Sequence, residues 1–314
     1  MVYSDVSVSG AGQRRRIRGF ESEAGSVPEA KRPVSGAFQV QPDQSEADTS
    51  GDGQINGMDS SIRRKKHFGQ HFLTNPETAE RIVSFLEWKG AVVEIGPGDG
   101  ILTDFLLSRG LDVRVVERDH ELIPGLKRRF GSNLKIISAD ALDVMGNIPE
   151  AWGQTAVISN LPYNIASPLT FHFCRNVNQI PEMVLMYQRE VAEKVTTDLG
   201  PLNLAVGPFF ETNLVMTLKP ASFSPPPKVD SAVVHFVRRK NFEVKPEKDY
   251  FRFCRRIFEN RRKMLYKNIM KNQSGGMSEI FKKLEISRSA RVDQLSVRQL
   301  LALYREVREN GIQI

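Results

Sequence analysis

The sequence predicts an α/β fold, a parallel sheet covered by helices on both faces, followed by a smaller helical domain. Three observations carry this. Strand-like and helix-like segments alternate from Ala91 onward, three glycines at alternate positions (Gly96, Gly98, Gly100) follow the first strand, and past Asn241 the apolar period becomes helical. Such alternation is what a parallel sheet requires, because a crossover helix must return each strand to the same end. The implied boundaries are an extension at 1–60, an α/β domain at 61–240 and a helical domain at 241–314.

The extension is rich in Ser, Gly, Asp, Gln and Pro and shows no apolar period, so it is expected to be disordered. Arg14, Arg15, Arg16 and Arg18 would suit an organelle transit peptide, but the acids Glu21, Glu23, Glu29, Asp43, Glu46, Asp48 and Asp52 argue against one. The extension holds six basic and nine acidic residues against 44 and 37 in the whole chain, so the remainder carries a net charge of +10. Such an excess fits a polyanionic partner or a solvated charged surface equally well. Cys174 and Cys254 lie far apart and match no metal-ligand spacing, which implies neither a disulfide framework nor a zinc site and fits a reducing, cytoplasmic compartment. No apolar run is long enough to cross a bilayer.

The charges gather first in Arg63 to Lys66, just before Phe72 to Pro76. This run would suit either phosphate contact or a solubilising arm. Asn75 and Pro76 then open a helix whose apolar face is Ala79, Ile82, Val83 and Leu86. Strands are expected at 91–96, 112–118, 134–139, 155–159 and 182–187, with helices near 101–109, 119–130, 168–176 and 189–198. Ligands of such sheets bind at the carboxyl ends of the strands, and Glu94, Glu117, Asp140 and Asn160 fall there.

Glycines after a strand let the backbone take positive φ and let a ligand approach the following helix N-terminus. A nucleoside cofactor suits that turn. In a dinucleotide fingerprint the third glycine falls three residues after the second, but position 101 is Ile101. The turn with its flanking acids instead resembles the S-adenosylmethionine site of Rossmann-like methyltransferases. Glu117, about 20 residues on, can accept from both ribose hydroxyls, and Asp140 can accept from the adenine amino group. For either acid alone, the alternative is a helix N-cap.

Asn160-Leu161-Pro162-Tyr163 is the most specific feature. An exocyclic adenine amine is a poor nucleophile because its lone pair is delocalised into the ring. The Asn160 side-chain oxygen and the Leu161 carbonyl can accept its two N–H bonds and localise that pair, Pro162 stiffens the turn, and Tyr163 can stack on the base.

With these residues in place the chain resembles the ribosomal RNA adenine dimethyltransferases, the family that includes the small-subunit enzyme linked to kasugamycin sensitivity. The resemblance runs from about Lys66 to the C-terminus and rests on six ordered stretches: Phe68 to Leu73, Glu94 to Gly98, Val116 to Asp119, Asn160 to Tyr163, Phe223 to Ser231, and Arg261 to Lys263. It implies a Rossmann-like S-adenosylmethionine-dependent methyltransferase fold with a small C-terminal helical domain. The cofactor would be held by the residues matching His71, Leu73, Gly96, Glu117, Asp140 and Asn160. The target amine would be held by Asn160, Leu161, Pro162 and Tyr163, with Phe223 as a second aromatic contact. The family usually has Asn where this chain has His71; a His nitrogen can take the same hydrogen bond.

The prolines 225–227 fix an extended loop that places Phe223 near the crevice mouth, and Val229 to Val237 alternates as a strand closing the sheet. Farther on, Phe251, Cys254, Phe258, Leu265 and Ile269 form one apolar face, with Arg252, Arg255, Arg256, Arg262 and Lys263 beside it. That flank reads as a phosphate grip or a solvated face. The implied activity is dimethylation of adenosine N6 in small-subunit ribosomal RNA, by a cytoplasmic monomer acting on that RNA or on the immature subunit, with no membrane partner and no metal. The alternatives are a large-subunit methylase of the erythromycin-resistance type and an assembly or transcription factor that keeps the fold for binding. A DNA adenine methylase is disfavoured because Leu161 stands where such enzymes more often have proline.

Overall fold

The computed structural model describes residues 71–197, 200–260, 262–269 and 276–312. The 1–60 extension, the basic run at 63–66, and Phe68, Gly69, Gln70 and Arg261 of the quoted stretches lie outside the described residues.

A two-residue strand β1 (Phe72–Leu73) precedes helix α1 (Pro76–Ser84). Asn75 caps α1 by accepting from the Thr78 N–H, Pro76 occupies its first turn, and Ala79, Ile82 and Val83 are buried beneath it, as the sequence leads one to expect. The alternation then runs β2 (Ala91–Ile95), α2 (Ile101–Ser108), β3 (Val113–Glu117), α3 (Ile123–Phe130), β4 (Lys135–Ser138), α4 (Ala141–Gly146), β5 (Thr155–Asn160), α5 (Ala166–Arg175), β6 (Glu182–Gln188), α6 (Arg189–Thr196) and α7 (Pro201–Val206). Three strands follow: β7 (Phe210–Leu218), β8 (Phe223–Ser224) and β9 (Ser231–Arg238).

The main sheet has the order β4-β3-β2-β5-β6-β9-β7. Its first five strands are parallel, whereas β9 runs antiparallel to both β6 and β7. The chain winds outward from β2 in one direction and resumes at β5 in the other, so a crevice opens between the ends of β2 and β5. The strand expected to close the sheet, β9, lies inside it. The edge is β7, which strand periodicity alone does not single out. Its central residues are partly exposed and a register irregularity interrupts it between Leu214 and Met216, as suits an edge that must not pair with another chain.

Each face of the sheet carries its own apolar cluster. Val92, Val113, Val115, Ala156, Ile158 and Val184 pack with α1, α2 and α3. Neighbouring residues on the same strands, Val93, Val116, Val157, Met183 and Leu185, point the other way. They join a cluster that extends without a break into the C-terminal helices α8 (Lys248–Phe258), α9 (Leu265–Ile269), α10 (Met277–Lys283) and α11 (Val297–Glu309), where Tyr250, Phe253 and Tyr304 are buried. Cys174 of α5 and Cys254 of α8 are free thiols in this cluster. Burial pushes both upward, Cys254 to about 12.

The single apolar face expected across Phe251 to Ile269 is divided between two helices, and Phe258 is partly exposed. The break has a physical cause. The Asn268 side-chain amide donates to the Asn260 carbonyl at 3.0 Å, and the Lys263 N–H reaches the same carbonyl at 2.9 Å, which fixes the turn just past the Glu259 cap of α8. Among the described residues no helix is long and apolar enough to cross a membrane.

At the amino end of the sheet Glu182, the first residue of β6, is buried. It accepts from the Glu87 and Trp88 N–H groups at 2.8 and 2.6 Å and lies 2.6 Å from His235 Nε2. The connection between α1 and β2 is thereby tied to β6 and β9.

Candidate active site

The carboxyl ends of β2, β3, β4 and β5 line one cleft, with β1 along its side. It encloses about 1130 Å³ counted out to its open mouth.

The glycine turn after β2 makes the floor possible. Gly96, Gly98 and Gly100 all have positive φ. A Cβ at Gly98 would lie 2.7 Å from the Phe72 ring, and one at Gly100 would lie 2.6 Å from the Phe130 ring. A side chain at either position would therefore collide with an aromatic ring as well as strain the backbone.

Three acids look into the cleft from successive strands, each in a different state. Glu94 is fully buried, and the Thr103 hydroxyl donates to it at 2.5 Å. Burial, reinforced by the nearby Glu117 and Asp104 charges, raises its carboxyl to about 8. Burial also raises the carboxyl of Glu117, but the N–H groups of Asp119, Arg118 and Gly98 oppose this, the first at 2.7 Å. Asp140 makes the helix cap that was its alternative reading: Oδ1 accepts from the Leu142 N–H at 2.9 Å, and Arg118 pairs with Oδ2 at 3.0 Å. It still lines the cleft, and each oxygen keeps a second lone pair.

At the end of β5 the Asn160 amide is locked. Its Nδ2 donates to the His71 carbonyl at 2.7 Å, which sets the flip and leaves Oδ1 with no partner among the described residues. Leu161 is buried at the wall, with its N–H on the Met186 carbonyl at 3.3 Å. The Tyr163 hydroxyl shares a 2.7 Å hydrogen bond with the Ser231 hydroxyl, and burial keeps the phenol protonated. The His71 ring lies 5.5 Å from the Tyr163 ring, tilted by 33°, and its Nδ1 sits 2.8 Å from the Pro225 carbonyl.

The sequence profile of the ribosomal RNA adenine dimethylase family matches residues 62–309. The chain belongs to this family. It is 35% identical over 263 residues to the ribosomal RNA small subunit methyltransferase A of Flavobacterium johnsoniae, covering 80% of this chain and 98% of that one. To the protein of the same name from Pseudomonas fluorescens it is 38% identical over 216 residues, covering 65% and 80%. The crystal structure of a dimethyladenosine transferase from Plasmodium falciparum superposes with a TM-score of 0.65 at 25% identity, covering 77% of this chain and 99% of that one.

In this dimethylase family member the cleft brings together His71, Leu73, Gly96, Glu117, Asp140, Asn160, Leu161, Pro162 and Tyr163. Phe223 stands apart. It is 3% exposed and packs in the core with Leu73 and Leu218, and it is not among the residues that line the cleft. The cause is backbone pairing: β8 forms a two-stranded antiparallel sheet with β1 that sets Phe223 opposite Leu73. Two partners escaped the sequence reading as site residues. Phe72 and Ser231 both lie in the stretches that carry the family resemblance, but only the fold shows that one ring covers Gly98 and that one hydroxyl holds Tyr163.

Proposed function

We propose that the protein transfers methyl groups from S-adenosylmethionine to the exocyclic N6 of adenosines in small-subunit ribosomal RNA, twice per base. The observation that carries this reading is the locked Asn160 amide. A bare acceptor oxygen at a strand end beside a tyrosine ring suits a planar amine that must give up two N–H bonds.

The cleft residues fit the cofactor by their chemistry. Glu117 would take the ribose hydroxyls, Asp140 the adenine amino group, and Gly96 with the His71 to Leu73 edge the methionine end. Glu94, buried with a single hydroxyl donor, is a carboxyl that a cationic ligand stabilises. When bound, S-adenosylmethionine supplies an electrophilic methyl group. The chain's own part is positional and electrostatic. Asn160 Oδ1 and the Leu161 carbonyl accept from the amine, Pro162 holds the turn that presents them, and Tyr163, fixed at its far end by Ser231, gives the base a flat surface. The base reaches that surface only by leaving its stack, at a cost of a few kcal/mol.

RNA phosphates would meet the helical flank. Arg255, Arg262 and Lys263 are exposed and pair with no acid among the described residues, whereas Arg252 and Arg256 are spent on Asp249 and Glu259. Free cations of this kind grip a backbone without reading sequence.

The test is transfer from labelled S-adenosylmethionine to immature small ribosomal subunits, with the nucleoside identified by mass spectrometry. N6,N6-dimethyladenosine in small-subunit RNA is the expected product. Transfer confined to protein-free large-subunit RNA would replace this reading with the resistance-type one, and cofactor binding without transfer to either would make the protein a binding factor.

A further inference from the structure

Every methyl transfer to an amine leaves a proton to dispose of, and the cleft holds one side chain set up to take it. We propose that His71 is the proton acceptor for the methylated amine, an inference that rests on the adenine N6 reading above. A carbonyl oxygen can only accept, so the 2.8 Å contact with Pro225 places a proton on His71 Nδ1. In the neutral ring Nε2 then carries the lone pair. The ring stands 5.5 Å from the Tyr163 ring, and the His71 carbonyl holds Asn160 at 2.7 Å. One residue thus flanks both groups that hold the base.

The other ionisable groups of the cleft are committed or distant in the fold. Glu94, Glu117 and Asp140 stand at the ends of β2, β3 and beyond β4, with Asp99, Arg118 and Asp119 in the turns beside them. Glu94 is engaged by Thr103, Glu117 by backbone N–H groups, Asp140 by Leu142 and Arg118, and Asp119 accepts from the Glu121 N–H. Tyr163 faces Ser231. On the Pro225 side the charged groups are Lys228 and Asp230, and Asp230 pairs with Lys219 at 2.7 Å.

The step balances. The transfer gives the amine nitrogen a fourth bond and a positive charge. One N–H bond, released from the Asn160 or Leu161 oxygen that held it, then breaks; its electron pair stays on nitrogen and its proton passes to His71 Nε2. The imidazolium keeps its Nδ1–H on Pro225 and releases the Nε2 proton to solvent, since the ring is partly exposed. It is then ready for the second transfer.

His71→Asn separates this role from mere support, because the Asn amide can still donate to Pro225 but offers no basic nitrogen in place of Nε2. In single-turnover transfer to RNA the wild-type rate should fall in acid, where the lone pair on Nε2 is already occupied. His71→Asn should lose that acid limb and run 10- to 100-fold slower at neutral pH, within the usual range for a lost acid–base group, with cofactor affinity measured by calorimetry kept within a few-fold. A second readout needs neither cofactor nor RNA: imidazole 15N shifts of the free wild-type protein should report the Nδ1–H form of His71. A His71→Asn enzyme with the wild-type rate and acid limb, or an Nε2–H tautomer in the free protein, would overturn the proposal. A wild-type protein that methylates no adenine would remove the parent reading and this one with it.

Discussion

Glu94 and Glu182 are both buried glutamates of the central sheet, one at its carboxyl end and one at its amino end, and they ionise in opposite directions. Burial works against the charge on each. At Glu182 it is outweighed by His235 and the N–H groups of Glu87 and Trp88, which hold the carboxyl below the ordinary range. At Glu94 the only side-chain donor among the described residues is Thr103, and the carboxyl rises to about 8. The difference is one of completion. At the amino end every lone pair that matters has found a partner and the acid works as a rivet. At the carboxyl end Glu94 is under-supplied and Asn160 Oδ1 has no partner among the described residues, so that end keeps open valences for a ligand.

Three substitutions would break or sharpen this contrast. The largest effect belongs to Asn160→Ala, which should cut methyl transfer by about 10³-fold, the cost of losing one well-placed electrostatic partner, while thermal stability and cofactor affinity stay near wild type. A variant that keeps most of its rate would mean that the bare oxygen does not polarise the amine. Glu182→Ala should do the reverse. Removing one partner of a buried, hydrogen-bonded pair costs about 3 kcal/mol, or roughly 10 °C in Tm for a domain of this size, and the protein that remains folded should transfer methyl groups at the normal rate. Loss of rate without loss of Tm would place Glu182 in the chemistry.

The third effect vanishes in acid and grows with pH. Glu94 holds its proton to about pH 8 in the fold, whereas its ordinary value is 4.5. The native state therefore binds more protons between those limits, and its stability declines as pH rises through them. Glu94→Gln should match wild type at pH 5 and exceed it by up to about 4 kcal/mol at pH 9, as read from urea unfolding at each pH. Equal profiles at both values would show that Glu94 is ionised in the fold at neutral pH. Glu182 has the opposite sign, its contribution being lost only in acid as pH falls through its depressed pKa.

The same contrast explains what could be read from the chain alone. Glu94 announces itself because an apolar strand precedes it and glycines follow it, all within a dozen residues. Glu182 does not, because its donors sit 94 and 95 residues upstream and its histidine 53 downstream. Asn160 to Tyr163 were legible as a motif, yet the groups that orient them, His71 and Ser231, are 89 and 68 residues away. Asp140 shows the limit of local reading: a strand-end acid and a helix cap have the same sequence signature, and here one carboxylate does the capping while still facing the cleft. The burial of Phe223 was not legible because it follows from the pairing of β8 with β1, a contact between segments about 150 residues apart. Short α4 and edge strand β7 carry little apolar period, since one has six residues and the other is half exposed.

The two deeply buried thiols have a practical consequence. Cys174 and Cys254 are the chain's only cysteines, both are inaccessible to solvent, and burial keeps both protonated, so the native protein is a dark background for maleimide dyes. A fluorophore introduced through Val229→Cys, at a position 45% exposed on the loop that follows Pro225, would be the only label taken up. Its emission would then report, in real time and without a methyl being moved, the arrival of RNA at the cleft mouth.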